Sequence, residues 1–207
     1  MFKRYFAVFV LSCCALLSQA KPVTGCYRPA TFDYQTGKEG QKAYLRLPRG
    51  SRQVKAILYC HQNMTEEVLF RSHLFCHKMD SLGVAMAFVQ QGSQNWDVTV
   101  KDENGQTCQE RFDHIIRQFA EGTEHPEILT APIIPFGHSA QATFPWNFAA
   151  WNPDRTLCIL SYHGDAPRTN LCGYGRANVE WGRTRNIDFI PGLMIEGEYE
   201  WWEARVR

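Results

Sequence analysis

The sequence lacks an excess of charge of either sign: 22 lysines and arginines stand against 21 aspartates and glutamates, and the formal net charge is +1. A near-neutral chain offers no basic surface for nucleic acid or anionic lipid, so we expect no nucleic-acid partner. Internal repeats and low-complexity tracts are also absent, which excludes solenoids and propellers. With 207 residues, 44% of them hydrophobic, the chain is long enough to bury a substantial core.

A hydrophobic run long enough to span a bilayer is missing as well. Two basic residues precede an apolar run over 6–17, about a dozen residues, whereas a membrane helix needs about 20. Small residues follow at the positions that a signal peptidase reads, so we predict a signal peptide at 1–20 and no transmembrane span. The protein is then exported, to the periplasm or the extracellular space. A surface lipoprotein anchored at Cys13 or Cys26 is the less favoured alternative.

The cysteines and histidines lack the spacing of a metal site. No CxxC pair is present, and no histidine pair carries the glutamate of a zinc-protease motif, so we predict no metal and no other cofactor. Cys60 and Cys158 lie in apolar runs that favour buried thiols. In an exported protein, any disulfide is expected among the other four cysteines of the mature chain. These are Cys26, Cys76, Cys108 and Cys172.

Short apolar runs alternate with segments of helical period along the predicted mature domain, residues 21–207. Strands are predicted over 42–47, 54–60, 84–89, 131–136, 156–162 and 192–196, and helices over 65–82, 109–120 and 140–151. This alternation predicts an α/β fold, with a mostly parallel sheet and helices on both faces. The glycine- and arginine-rich segment 167–186 is predicted to leave the sheet as a cap or lid.

Polar loops follow five of the predicted strands. They are 61–63, 90–96, 137–139, 163–165 and 197–200. Because ligands of open α/β sheets bind beyond the carboxyl ends of the strands, these loops are expected to converge on one functional edge.

The sequence over 133–142 runs from an apolar strand through Gly137-His138-Ser139 directly into a predicted helix. This pattern resembles the nucleophile elbow of the α/β-hydrolase superfamily, and the chain resembles the exported bacterial serine esterases within it. The resemblance implies that Ser139 is a nucleophile that forms an acyl-enzyme with an ester. Gln141 departs from the family pattern, which carries a second glycine there. The alternative is a serine that merely caps a helix.

The same resemblance assigns further roles to residues at the sheet edge. The backbone N–H groups of Gln62 and Ala140 would form the oxyanion hole. Glu200, which follows a late strand, matches the position of the catalytic acid, and Glu198 and Asp165 are alternative acids.

A histidine is missing where the family order of nucleophile, acid and histidine requires it. His163 is the last histidine and precedes Glu200. We therefore favour the hypothesis that the chain is a truncated piece of a longer hydrolase and lacks the final strand. A rearranged triad with His163 as a weak candidate base is one alternative, and a non-catalytic binding protein on the same fold is another.

The polar loops and the predicted lid also supply expected substrate contacts. These are His61, Asn63, Trp96 and Arg168. Together with export, they point to a small-molecule or glycan ester as the substrate.

Overall fold

The computed structural model describes residues 32–38, 41–63, 66–90, 96, 98–164, 187 and 189–195. Within them, seven strands form one sheet: β1 (Tyr34–Thr36), β2 (Ala43–Arg46), β3 (Ala56–His61), β4 (Val84–Val89), β5 (Ile133–His138), β6 (Ile159–Tyr162) and β7 (Gly192–Ile195). The α-helices are α1 (Glu66–Leu69), α2 (His73–Leu82), α3 (Cys108–Thr123) and α4 (Phe144–Trp151). The strand order is β1-β2-β4-β3-β5-β6-β7. Strand β2 pairs antiparallel with both β1 and β4, and all the other neighbouring strands pair in parallel.

Helices cover both faces of the sheet. On one face, Phe112 of α3 and Phe148 of α4 belong to a buried cluster with Tyr59 of β3. On the other face, Met79 of α2 packs in a second cluster with Leu58, the neighbour of Tyr59 in the same strand. Successive residues of a strand point to opposite faces, so the continuous apolar run of β3 supplies both cores. The predicted α/β fold with a mostly parallel, doubly covered sheet is confirmed.

Two of the predicted helices divide or begin later than expected. The predicted helix 65–82 is two helices, because the Ser72 hydroxyl accepts the backbone N–H of Phe75 at 3.3 Å and starts α2 afresh. The predicted helix 140–151 begins with a 3-10 turn, and α4 itself starts at Phe144. Pro145 fits the first turn of α4, where a missing N–H costs no helical hydrogen bond.

Two local features stabilise helix α3: a capped first turn and apolar residues at helical spacing. Thr107 and Glu110 make a reciprocal capping box at its start, with the Thr107 hydroxyl accepting the Glu110 N–H at 3.2 Å. Its buried residues, Phe112, Ile116 and Phe119 among them, recur at helical spacing and face the sheet.

Several predicted features lie outside the described residues: the signal peptide at 1–20, the excursion 167–186 and the end of the chain, where a final strand was expected to be missing. In the described part of the chain, no helix is both long and apolar enough to cross a membrane.

Three of the four described cysteines are buried: Cys60, Cys108 and Cys158. Burial raises the pKa of the Cys158 thiol to about 12. Cys76 and Cys108 form no disulfide with each other, while Cys26 and Cys172 lie outside the described residues.

Candidate active site

Ser139 occupies a sharp turn at the carboxyl end of β5. Its φ is +53°, whereas His138 before it is extended with a φ of −120°. The Ala142 N–H then closes a 3-10 turn onto the Ser139 carbonyl at 2.9 Å. Non-glycine residues rarely adopt a positive φ, and those that do cluster at functional sites. The strand, the strained serine and the following helical turn together have the geometry of a nucleophile elbow. Strand β5 runs two residues beyond its predicted end and so reaches this turn.

Two glycines allow the chain to close tightly around this turn. A Cβ at Gly137 would collide with the backbone carbonyl of Gln141. A Cβ at Gly164, just after β6, would collide with Ala142 and lie 2.8 Å from the Ser139 carbonyl oxygen. The elbow is therefore packed against its own strand and against the loop that follows β6.

Gln141, which replaces the second glycine of the family pattern, turns its side chain into the core. It is buried, and it lies close to His61 at the end of β3. Burial lowers the pKa of His61 to about 3, with help from the Arg111 charge, and the contact with Gln141 only partly opposes this. His61 is thus neutral at ordinary pH.

His61 and Trp96 were predicted to contact substrate, and the structure places both in the core. They are 1% and 2% exposed, and their rings stack 6.1 Å apart. Phe144 packs on His61 with ring centroids 4.1 Å apart. Aromatic contacts outweigh the polar character of this loop, so the prediction of direct substrate contact is not supported for these two residues.

Of the two backbone N–H groups predicted to form the oxyanion hole, only that of Gln62 already has a hydrogen-bond acceptor among the described residues. The Gln62 N–H donates to the Val89 carbonyl at 2.7 Å, which continues the sheet and occupies this donor. Among the described residues, none accepts the N–H of Ala140, the residue after Ser139. No described residue accepts the backbone N–H of Asn63 either. The Asn63 side-chain amide donates to the carbonyl of His138, the residue before Ser139.

His163 lies on the same edge of the sheet, directly after β6. It too has a positive φ, +51°, and its ring centroid is 5.7 Å from that of His138 and 4.1 Å from that of Tyr162. Its N–H donates to Ile195, the last residue of β7, at 2.7 Å. The ends of β5, β6 and β7 therefore meet at the predicted edge.

Glu66 was missed at the level of sequence. It is fully buried at the start of α1 and accepts the backbone N–H of His138 at 3.0 Å. The only sequence signal is an acidic residue shortly after a polar strand-end loop, which is too common to stand out.

The remaining predicted site residues, Asp165, Arg168, Glu198 and Glu200, lie outside the described residues. Within the described ranges, no group of three or more His, Cys, Asp or Glu side chains is arranged to hold a metal ion.

The strand order and the serine elbow after the fifth strand define an α/β-hydrolase fold. A solved structure agrees with this fold assignment. Poly(aspartic acid) hydrolase-1 from Sphingomonas sp. KT-1 superposes with a TM-score of 0.55 at 14% identity, over 84% of this chain and 73% of that chain.

The comparison with solved structures also finds a monoglyceride lipase from Saccharomyces cerevisiae and an S-formylglutathione hydrolase (FrmB) from Staphylococcus aureus. The lipase gives a TM-score of 0.38 at 14% identity over 70% of this chain, and FrmB gives 0.44 at 10% over 65%. The chain spans 47% of the lipase and 57% of FrmB, about half of their lengths. No family model and no curated protein matches the sequence. This chain has the fold of the α/β-hydrolase superfamily.

Proposed function

We propose that this chain is an exported serine hydrolase that cleaves an ester through an acyl-enzyme on Ser139. The observation that carries the proposal is the turn at Ser139: a half-buried serine in the left-handed region, directly after a buried parallel strand. Such a turn is strained, and it lies at the carboxyl end of β5, where ligands of open α/β sheets bind, which supports a chemical role for the hydroxyl.

In the proposed reaction, the Ser139 Oγ attacks the carbonyl carbon of the ester while a base takes the hydroxyl proton. The tetrahedral intermediate collapses, the bond to the alcohol oxygen breaks, and the alcohol leaves with that proton. Water, deprotonated by the same base, then attacks the acyl-enzyme, and the carboxylic acid leaves as Oγ recovers a proton.

Ala140 and Asn63 are the donors we propose for the oxyanion. Each has a backbone N–H with no acceptor among the described residues, and both flank the elbow. Asn63 replaces Gln62 in this role because the Gln62 N–H is already bonded to Val89. One such donor is worth about 3 kcal/mol of barrier.

His163 is the base that we propose within this chain, because it follows the neighbouring strand and adjoins Gly164, which packs on the Ser139 carbonyl. For the acid, Glu200, Glu198 and Asp165 remain proposals. The substrate we propose, a small-molecule or glycan ester outside the cytoplasm, depends on the predicted export signal.

A fluorophosphonate tests this proposal, because an activated serine displaces fluoride from its phosphorus and forms a stable Oγ–P bond. The full chain and Ser139→Ala are treated with the probe and weighed intact, and a cooperative melt verifies that each is folded. Ser81→Ala, which alters an exposed serine on α2, is the matched control. One adduct that is lost only in Ser139→Ala would support the proposal.

The absence of an adduct on folded protein would contradict catalysis by this chain and favour the non-catalytic binding protein. If the adduct forms, His163→Gln then tests the base: loss of labelling supports His163, and unchanged labelling excludes it.

A further inference from the structure

His138, the residue before Ser139, is held by two side chains from the segment that follows β3. Its backbone N–H donates to Glu66 Oε1 at 3.0 Å, and its backbone carbonyl accepts the Asn63 side-chain amide at 2.7 Å. Both polar groups of one peptide residue are therefore bound by side chains.

These contacts take the place of the sheet hydrogen bonds that β3 does not provide beside His138. The ladder between β3 and β5 pairs Ile57–Cys60 with Ile133–Phe136 and then ends. Beyond it, the chain after β3 turns towards β4, as the bond from Gln62 to Val89 shows. The last residue of β5 thus extends past its neighbour on that side, where Asn63 and Glu66 supply the donor and the acceptor that a strand would offer.

Burying the Glu66 side chain costs free energy, so we expect its hydrogen bond to have a structural role. Its exposure is 0%, and buried carboxylates are rare because they lose their hydration. The hydrogen bond that it accepts from the His138 N–H offsets part of this loss. Through this bond, the buried Glu66 side chain fixes the backbone that leads directly into the strained Ser139.

Asn63 connects the His138 backbone to one of the proposed oxyanion donors, which is its own backbone N–H. Its side chain fixes the His138 carbonyl, while its own backbone N–H is one of the groups proposed to bind the oxyanion. The spacing between the nucleophile and that N–H is thereby set through His138.

We propose that Asn63 and Glu66 are positioning residues that hold the nucleophile elbow in register with the oxyanion loop. The inference rests on the proposed role of Ser139. Displacing a reacting group by about 1 Å costs on the order of 100-fold in rate, so a loosened elbow should lose turnover and keep most of its substrate binding.

Three variants of the full chain test the pair, and two further variants are controls. Glu66→Met removes the acceptor at similar size, Glu66→Gln keeps an acceptor oxygen, and Asn63→Ala removes the amide donor. Glu67→Met on the same helix is a matched control, since Glu67 pairs with Arg71 and not with the elbow. Gln62→Ala is the control for the exposed Asn63.

The measurements are kcat and KM for p-nitrophenyl acetate, the rate of fluorophosphonate labelling, and hydrogen exchange of the His138 amide. We expect Glu66→Met and Asn63→Ala to lower kcat and the labelling rate about 10- to 100-fold, with KM within about twofold. His138 should exchange faster in Glu66→Met. Glu66→Gln should stay within about threefold of the wild type, and both controls should be unchanged.

Wild-type labelling rates in folded Glu66→Met and Asn63→Ala would overturn the inference while Ser139 remains the nucleophile. Failure of the folded wild type to label would instead overturn the proposed function, and this inference with it. If Glu66→Met does not fold, the kcat and KM of Asn63→Ala decide alone: a selective loss of kcat supports the inference, and unchanged kcat contradicts it.

Discussion

Gly137 and Gln141 lie backbone against backbone across the nucleophile elbow. A Cβ at residue 137 would overlap the carbonyl group of Gln141 and would lie 3.1 Å from the Pro145 ring. The turn at Ser139 therefore folds back on the strand that leads into it. The first glycine of the pattern is required by this contact, whereas Gln141 needs no such space because its side chain points into the core.

Gly137→Ala is expected to damage both stability and labelling. The colliding atoms belong to backbone, which cannot rotate away, so we expect a loss of about 1–3 kcal/mol in the free energy of unfolding. Fluorophosphonate labelling of Ser139 should fall at least tenfold, because the turn must shift. Gly192→Ala is the control, since its Cβ would meet only side chains, the Trp146 ring at 3.2 Å and Ile159 at 3.9 Å, and no backbone within 4 Å is among its three nearest atoms. Wild-type labelling in Gly137→Ala would contradict the close packing described here.

The strain at Ser139 can be measured by comparing two inactive variants. Glycine adopts a φ of +53° without a Cβ clash, whereas alanine keeps that clash. We expect Ser139→Gly to be more stable than Ser139→Ala by about 1 kcal/mol in urea denaturation. The same pair of substitutions at Ser161, a buried residue within β6, should show the reverse order, because glycine weakens a strand. Equal stability at residue 139 would argue against a strained turn.

The sequence predicted most of the sheet because its central strands are continuous apolar runs. Strand β4 was predicted with its observed ends, and β3 nearly so. The three-residue strand β1 was missed, since so short a run carries no periodicity. The break between α1 and α2 was missed because the cap at Ser72 interrupts an otherwise helical pattern. Local capping chemistry here overrides the pattern on which the prediction depended.

The site was predictable where its signal is local in sequence. Gly137, Ser139 and the following turn are contiguous, so the elbow geometry followed from them. Contacts between distant segments could not be foreseen: Glu66 reaches His138 across 72 positions, and Gln62 is drawn into the sheet by Val89. The role of His61 could not be foreseen for the same reason. Its position after a strand suggested a site residue, whereas in the structure it is buried in the core.

His61 should make the fold sensitive to acid. In the unfolded chain a histidine takes up a proton near pH 6.5, whereas folded His61 does so only near pH 3. Between these values the unfolded state binds more protons, so stability is complete above about pH 6.5 and is lost as the pH falls towards 3. At pH 5 this one residue should cost about 2 kcal/mol.

The measurement is urea denaturation at pH 7 and pH 5. His61→Leu should reduce the difference in unfolding free energy between the two pH values by about 2 kcal/mol. His114→Leu, on the exposed side of α3, is the matched control and should keep the wild-type difference. An unchanged difference in His61→Leu would mean that His61 is protonated in the folded protein at pH 5.

An ion pair between Arg46 and Asp80 joins β2 to α2. The Arg46 guanidinium binds both carboxylate oxygens of Asp80, at 2.7 and 2.9 Å, and the Arg49 N–H adds a third bond to that carboxylate at 2.8 Å. The Arg46 side chain is only 6% exposed, so removing Asp80 leaves a buried charge without this partner. We therefore expect Asp80→Ala to lower the free energy of unfolding by about 3 kcal/mol.

Replacing both Arg46 and Asp80 should lower the free energy of unfolding by less than removing Asp80 alone. In the double variant Arg46→Met/Asp80→Leu no buried charge remains, and apolar packing offsets part of the loss. Arg49→Ala provides the contrast, because the 57% exposed Arg49 side chain pairs with Asp33 near the surface and should contribute at most about 1 kcal/mol. Denaturation of the four proteins in urea gives the comparison. If Asp80→Ala were no more destabilising than Arg49→Ala, Arg46 would find water or another partner, and the pair would not fix β2 to α2.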